Sequence, residues 1–216
     1  LQKTMDSVLH QRFSNYEYIV IDGGSSDGSK QIIEQHKSKL TYWVSETDKG
    51  IYNAMNKGIK QANGDYLLFL NSGDYLTDKD ILTKVFASKL TADIAYGNML
   101  IEKADGTLQQ GYMPSKITLK QMVVDTLWHP VSFIKKSLFD KYGLYNEDYK
   151  IVADYDFFFK TIIKNAVSTQ YLNLTISVYN LTGLSSLPEN KAKEQAERKK
   201  VMELYLSPEL LQMAEK

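Results

Sequence analysis

The 216 residues predict an α/β fold, a mostly parallel sheet flanked by helices. Short apolar runs alternate with stretches whose apolar residues recur at helical spacing. Three of the runs lead to an aspartate in a turn, as expected for residues at the carboxyl edge of an open α/β sheet. A hydrophobic content of 43% is enough to bury the core of one large domain with an appendage.

"TMDSVLHQRF" reads as an amphipathic helix and "YEYIVID" as a strand. "SDGSKQIIEQHK" begins a helix that Ser25, Ser26 or Asp27 can cap, and "YWVSE" is the next strand. "IYNAMNKGIKQA" is a helix closed by Asn63-Gly64, and "YLLFLN" is a buried strand broken by Ser72, Gly73 and Asp74. After the helix "ILTKVFASKL", the runs "DIAYGNMLIE" and "TLQQGYM" form a hairpin through "KADG". The pattern then becomes mixed: "WHPVSFI" a strand, "SLFDKYG" and "DYDFFFKTIIK" helices, "YLNLTISVYN" a strand. Residues 1–188 make up this domain, and 189–216 form a charged helical tail interrupted by Pro208.

Twenty-six basic residues balance 26 acidic ones, so bulk charge gives no case for nucleic acid, and affinity for an anion must come from a local site. Without cysteine there is no disulfide frame, thiolate zinc site or cysteine nucleophile, which suits a reducing compartment. The start has no signal-peptide pattern, and no apolar run approaches the ~20 residues of a membrane span. These features lead us to expect a cytoplasmic protein, soluble or peripheral at the inner face of the membrane.

Asp22, Asp48 and Asp74 each follow a strand and are expected to gather at one edge of the sheet. Any one of them alone reads as a turn or capping residue; three at the same edge favour a ligand crevice. The loop "DGGSSDGSK" fits neither phosphate-binding motif. From Gly23 the third position is Ser25, which breaks G-x-G-x-x-G, and Ser29 precedes Lys30, which reverses the end of a P-loop. Asp27 would also set a negative charge against any phosphate held there.

The blocks "YEYIVIDGGSSDGS", "DKGIYNAMNKGIKQANGDYLLFLNSGD" and "ADYDFFFK", in that order and at plausible spacing, resemble those of family-2 glycosyltransferases with the GT-A fold, over roughly residues 4 to 180. The resemblance implies inverting, non-processive transfer of a hexose-like sugar from a nucleotide-diphosphate donor to a saccharide or lipid-linked saccharide acceptor. It also implies Mg²⁺ or Mn²⁺, a role in cell-surface polysaccharide or glycolipid assembly, a nucleotide-binding half over 1–100 and an acceptor-side half over 101–188. By the same resemblance Asp22 accepts hydrogen bonds from the nucleotide base, and Gly24, Ser25, Asp48, Asn56, Ser72 and Gly73 belong to the donor site. Asp74 stands where the family's last metal-binding acid does, and one carboxylate plus phosphate oxygens suffices for a hard divalent cation. Asp154 is the expected base, because a sugar hydroxyl becomes nucleophilic only as its proton is removed. Asp156 is the alternative, and as an acid in the first turn of a helix it also has a structural reading. His129 is placed near the diphosphate or acceptor, or else packs beside Trp128, itself a candidate sugar platform; His10 and His36 read as surface residues.

Several positions depart from the family pattern. The metal motif is thinned to Asn71, Ser72, Gly73 and Asp74, which implies a weak metal site without donor. Ala54, Met55 and Asn56 stand where many members carry "ARN", so the cation facing the donor is missing, with Lys49 the nearest replacement or a solvated surface lysine. No Q-x-x-R-W block follows "ADYD", which argues against a processive synthase. The family's first strand, central in its sheet, has no counterpart before "LQKTMDSVLHQ", so the sequence is expected to omit an N-terminal segment, unless another segment fills the gap. Unpaired backbone groups buried along it would each cost on the order of 1 to 3 kcal/mol. In the tail, Lys191, Lys193, Arg198, Lys199 and Lys200 precede an apolar cluster, a pattern that suits an anionic membrane surface, docking on the protein's own core, or a homodimer. A non-catalytic nucleotide-sugar-binding or scaffold subunit and a nucleotidyltransferase are the alternative functions.

Overall fold

The computed structural model of the chain describes residues 1–181, 183 and 187–214. Its first layer is built on a parallel pair, β1 (Ile19–Asp22) and β2 (Tyr42–Ser45), in register from Ile19 opposite Tyr42 to Asp22 opposite Ser45. The crossover helix α2 (Ser29–His36) buries Ile33 against this pair, together with Met5 of α1 (Gln2–Leu9). Helix α3 (Ile51–Gln61) buries Tyr52, Met55, Asn56 and Ile59, one face at helical spacing.

The second layer is a six-stranded sheet of β3 (Tyr66–Leu67), β4 (Tyr75–Leu76), β5 (Ile94–Glu102), β6 (Leu108–Gly111), β7 (Ser132–Lys135) and β8 (Thr169–Asn180). The spatial order is β3-β7-β5-β8-β4, with β6 alongside the far half of β5. Here the sheet departs from expectation, for it is mixed rather than mostly parallel. β5 runs parallel to β8, whereas β3 with β7, β4 with β8, β5 with β6 and β5 with β7 are antiparallel. Alternation of strand and helix predicts parallel neighbours only where each helix returns the chain to an adjacent strand. Between β5 and β7 the chain instead makes a hairpin and the helix α5 (Leu119–Val124), so β7 enters from the opposite end.

Helix α4 (Ile81–Ala87) buries Ile81, Leu82 and Val85 on one face of this sheet. On its other face α6 (Lys136–Tyr142) and α7 (Ala153–Phe158) carry an aromatic core in which Phe139 stacks on Phe157 at 4.4 Å between ring centroids. Helix α7 continues as a π-helix over Phe159–Lys164. The tail docks here: α8 (Lys191–Tyr205) buries Val201 in the aromatic core, Tyr205 stacks on Phe159, and α9 (Pro208–Ala214) follows. No helix among the described residues is long and apolar enough to cross a membrane.

Among the described residues no strand pairing joins the two sheets. The expected strand over 66–71 keeps ladder partners only at Tyr66 and Leu67, opposite Lys135 and Ile134. A cavity of about 1570 Å³ opens between β1 and this segment and is lined by both, with Leu1, Thr4 and Val8 beside them.

Candidate functional site

The cavity runs from the gap between the sheets to the start of α7. Asp22, Asp48, Asp74 and Asp154 all line it, with Ser25, Ser72, Trp128 and His129. The acids that follow three strands thus share one cavity with the acid that begins α7.

Asp22 ends β1 and is 7% exposed. Its carboxylate accepts from the Ser25 amide at 3.1 Å, the Ser45 hydroxyl at 2.6 Å and the Ser25 hydroxyl. Burial works to raise its pKa, but these donors outweigh it and hold the carboxyl below the usual range. Gly24 supplies the left-handed backbone of this loop at φ 83°, where a side chain would press on the Thr47 amide nitrogen at 3.3 Å. Asp48 forms an ion pair with Lys57, which also meets Glu46 at 2.7 Å, and its Oδ2 is buried without a partner.

Asp74 is delivered by a tight turn in which its amide donates to the Asn71 carbonyl and Gly73 adopts φ 108°. The Gly73 amide donates to Thr4 Oγ1 at 3.0 Å, tying the turn to α1. Asp74 is 3% exposed; Oδ1 accepts from the Asn180 amide at 3.0 Å, while Oδ2 is buried without a partner. Burial pushes its pKa up to about 7. An orphaned buried carboxylate oxygen of this kind fits a cation. Among the described residues no group of three or more acids, histidines or cysteines is arranged to hold a metal ion, and a hard divalent cation can be held by one or two protein carboxylates beside phosphate oxygens.

Asp154 lies in the first turn of α7, where Tyr52 of α3 reaches it. The Tyr52 hydroxyl is 2.6 Å from the Ile151 carbonyl and 2.8 Å from Asp154 Oδ1, two acceptors for one proton. Burial first, and then the Asp154 charge, raise the Tyr52 pKa well above its usual value. Asp156 turns away: it is 3% exposed, does not line the cavity, and accepts from the Tyr205 hydroxyl at 2.9 Å.

His129 is buried on the cavity wall, stacked on Phe69 at 4.8 Å and 2.8 Å from the Tyr145 hydroxyl through Nε2. Burial lowers its pKa against the opposing pull of Asp154, which favours the neutral ring. Trp128 also faces the cavity, while its ring covers Gly111 and its Nε1 donates to Asp125. Asn56, Gly73 and Lys49 do not line the cavity. Asn56 is locked by the Tyr145 backbone and Glu147, and Lys49 borders a separate space of about 100 Å³ beside Glu147 and Lys150. His10 is exposed and His36 part-exposed, each with Nδ1 against the carbonyl four residues back.

Tyr52, Lys57 and the α8 residues Glu194 and Arg198, which line the cavity, were not legible as site residues. Tyr52 reads in sequence only as one member of a helical apolar face, and the others as helical charges.

The chain is similar to known glycosyltransferases. The chain is 29% identical over 189 residues to a PGL/p-HBAD biosynthesis glycosyltransferase of Mycobacterium bovis, covering 85% of this chain and 72% of the relative. It is 31% identical over 196 residues to an uncharacterized glycosyltransferase of Mycobacterium tuberculosis, covering 89% and 74%. Staphylococcus aureus TarS, solved with UDP, superimposes with a TM-score of 0.73 at 19% identity, over 98% of this chain and 64% of that one. The chain therefore spans less than two thirds of the TarS structure. A mannosyltransferase from Pyrobaculum calidifontis, solved with GDP-Man and Mn²⁺, gives 0.59 at 14% identity, over 92% and 56%. The fold is that of GT-A glycosyltransferases. The model of glycosyl transferase family 2 matches residues 1–167, and the chain belongs to that family.

Proposed function

We propose that this protein transfers a sugar from a nucleotide-diphosphate donor to an acceptor hydroxyl with inversion, using Asp154 as the base. The observation that carries the reading is the lining of one cavity by Asp22, Asp74 and Asp154, with Asp154 hydrogen-bonded by Tyr52. Asp22, kept ionised by its three donors, accepts from the nucleotide base. Asp74 is the residue to hold Mg²⁺ or Mn²⁺, which when bound supplies Lewis-acid stabilisation of the leaving diphosphate. In the transfer step Asp154 takes the proton of the acceptor hydroxyl, the acceptor oxygen bonds to the anomeric carbon, and the bond to the diphosphate oxygen breaks on the opposite face. Asp156 is too well buried and too engaged with Tyr205 to take this part.

Similarity to a PGL/p-HBAD biosynthesis glycosyltransferase supports a biosynthetic sugar transfer, for which we take a saccharide or lipid-linked saccharide as the acceptor. The test is a panel of nucleotide sugars with and without Mg²⁺ or Mn²⁺. Asp154→Asn is expected to lower turnover by about 10²- to 10⁴-fold with nucleotide binding nearly intact. Asp74→Ala is expected to weaken metal-dependent donor binding instead. Near-normal turnover in Asp154→Asn overturns the assignment of the base. Donor binding without any transfer by the wild type would leave a non-catalytic nucleotide-sugar-binding subunit.

A further inference from the structure

We propose that Glu197 of α8 is a positioning residue that fixes the turn presenting Asp154 to the cavity, so that the C-terminal helix is part of the transfer machinery. The inference rests on the reading of Asp154 as the base. Helix α7 has no side-chain cap at its start, so the placement of Asp154 depends on what holds residues 150–152. Glu197 is buried and accepts from two consecutive amides, Lys150 at 3.1 Å and Ile151 at 2.9 Å. The carbonyl of the same Ile151 is 2.6 Å from the Tyr52 hydroxyl, which also reaches Asp154. Ile151 is thus held by its N–H from α8 and by its C=O from α3, three residues before the base. Hydrogen bonds to an ionised acceptor are about twice as strong as neutral ones, and two of them on adjacent amides leave the turn little freedom.

The next residue holds α8 itself in place. Arg198 donates to the carbonyls of Met122 at 3.2 Å, Val123 at 3.3 Å and Asp125 at 2.7 Å, and its guanidinium lies 4.1 Å from the Tyr155 ring centroid. Tyr205, at the end of α8, holds Asp156. The helix therefore grips residues 150, 151, 155 and 156, on both sides of Asp154. Glu197 does not line the cavity, so it acts on the reaction through the backbone alone.

The experiment compares Glu197→Ala and Glu197→Gln with the wild type, using the donor that the panel identifies. Glu197→Ala is expected to lower kcat on the order of 10²-fold, the scale of a misplaced catalytic group, with nucleotide affinity changed by less than about twofold. Glu197→Gln keeps one carbonyl acceptor for the two amides and is expected to recover part of the loss, and it carries the test if the alanine variant does not fold. A folded Glu197→Ala with wild-type kcat below its melting temperature overturns the proposal. So does a loss that falls on donor KM instead of kcat. Asp154→Asn, measured alongside, reports separately on the base. Hydrogen exchange gives a readout that needs no turnover: amides 150–156 are expected to exchange at least about tenfold faster in either Glu197 variant. Unchanged protection there also overturns the proposal.

Discussion

Asp22 and Asp74 are almost equally closed to solvent, yet their carboxyls shift in opposite directions. The difference is first the depth of burial, which weighs far more on Asp74, and then the number of donors. Asp22 has the Ser25 amide and two serine hydroxyls, whereas Asp74 has the Asn180 and Asn71 amides to set against deeper burial, and one of its oxygens has no partner. In the metal-free protein Asp74 holds its proton up to about pH 7, against a value of 3.8 for the unexposed-to-burial, unfolded carboxyl. Between those two values the native state binds more protons than the unfolded state, so its contribution is fullest at low pH and stability falls as pH rises through 7. Asp74→Asn removes the buried charge and should raise Tm at pH 8 by a few degrees, about 2–4 °C for each kcal/mol in a chain of this size. The gain should shrink at pH 5, where the native carboxyl is neutral but the unfolded one is ionised, and vanish only below about pH 3.8. Thermal scans at both pH values, without divalent metal, check this; equal shifts at the two would refute it. These acids were legible in sequence because each follows an apolar, strand-like run. Their charge states were not, since they depend on Ser45 and Asn180, which lie far away along the chain.

Helix α3 shows the same division at the scale of an element. Its apolar spacing and its Asn63-Gly64 terminator were enough to locate it, and the structure gives Ile51–Gln61. What its polar residues do comes from the loop it packs against. Asn56 was expected at the donor, but it is 3% exposed and bonds the Tyr145 amide at 3.0 Å, the Tyr145 carbonyl at 2.9 Å and Glu147 at 2.9 Å. It therefore joins α3 to the loop between α6 and α7. Asn56→Ala would leave the buried Tyr145 amide and carbonyl without partners, at about 1–3 kcal/mol for each. The expected result is a lower urea midpoint with an unchanged slope, and nucleotide affinity within about twofold of wild type. A variant that kept its stability and lost nucleotide binding would restore Asn56 to the donor site. The elements that sequence reading missed, β4 and α5, are a two-residue strand and a six-residue helix, too short for periodicity to register.

Across the whole molecule, the alternation of strands and helices was legible, but the order and direction of the strands were not, because pairing joins segments as distant as β5 and β8. The tail shows the same limit. Its basic and apolar clusters read more readily as docking on its own core or a second copy than as contact with a bilayer, and Val201, Met202, Tyr205 and Leu206 pack in the aromatic core. Two sheet edges face one cavity. Tyr18 and Asp22 turn their carbonyls to β2, accepting from Thr41 at 2.9 Å and Glu46 at 3.0 Å. By the alternation of backbone groups along a parallel strand, Ile19 and Ile21 direct theirs to the gap. On the other side the ladder stops at Leu67, just before the run Leu68, Phe69 and Leu70. Opening onto a cavity lets solvent meet these groups and avoids the penalty of burying them unpaired. Amide exchange in this chain should then divide the sheet sharply: β5 and β8, paired along most of their length, protected to nearly the global unfolding energy, and Ile19, Ile21 and residues 68–70 exchanging by local opening. Protection at 68–70 equal to that of β5 would mean that the two edges close on each other in solution, and the cavity shared by Asp22, Asp74 and Asp154 would shrink with them.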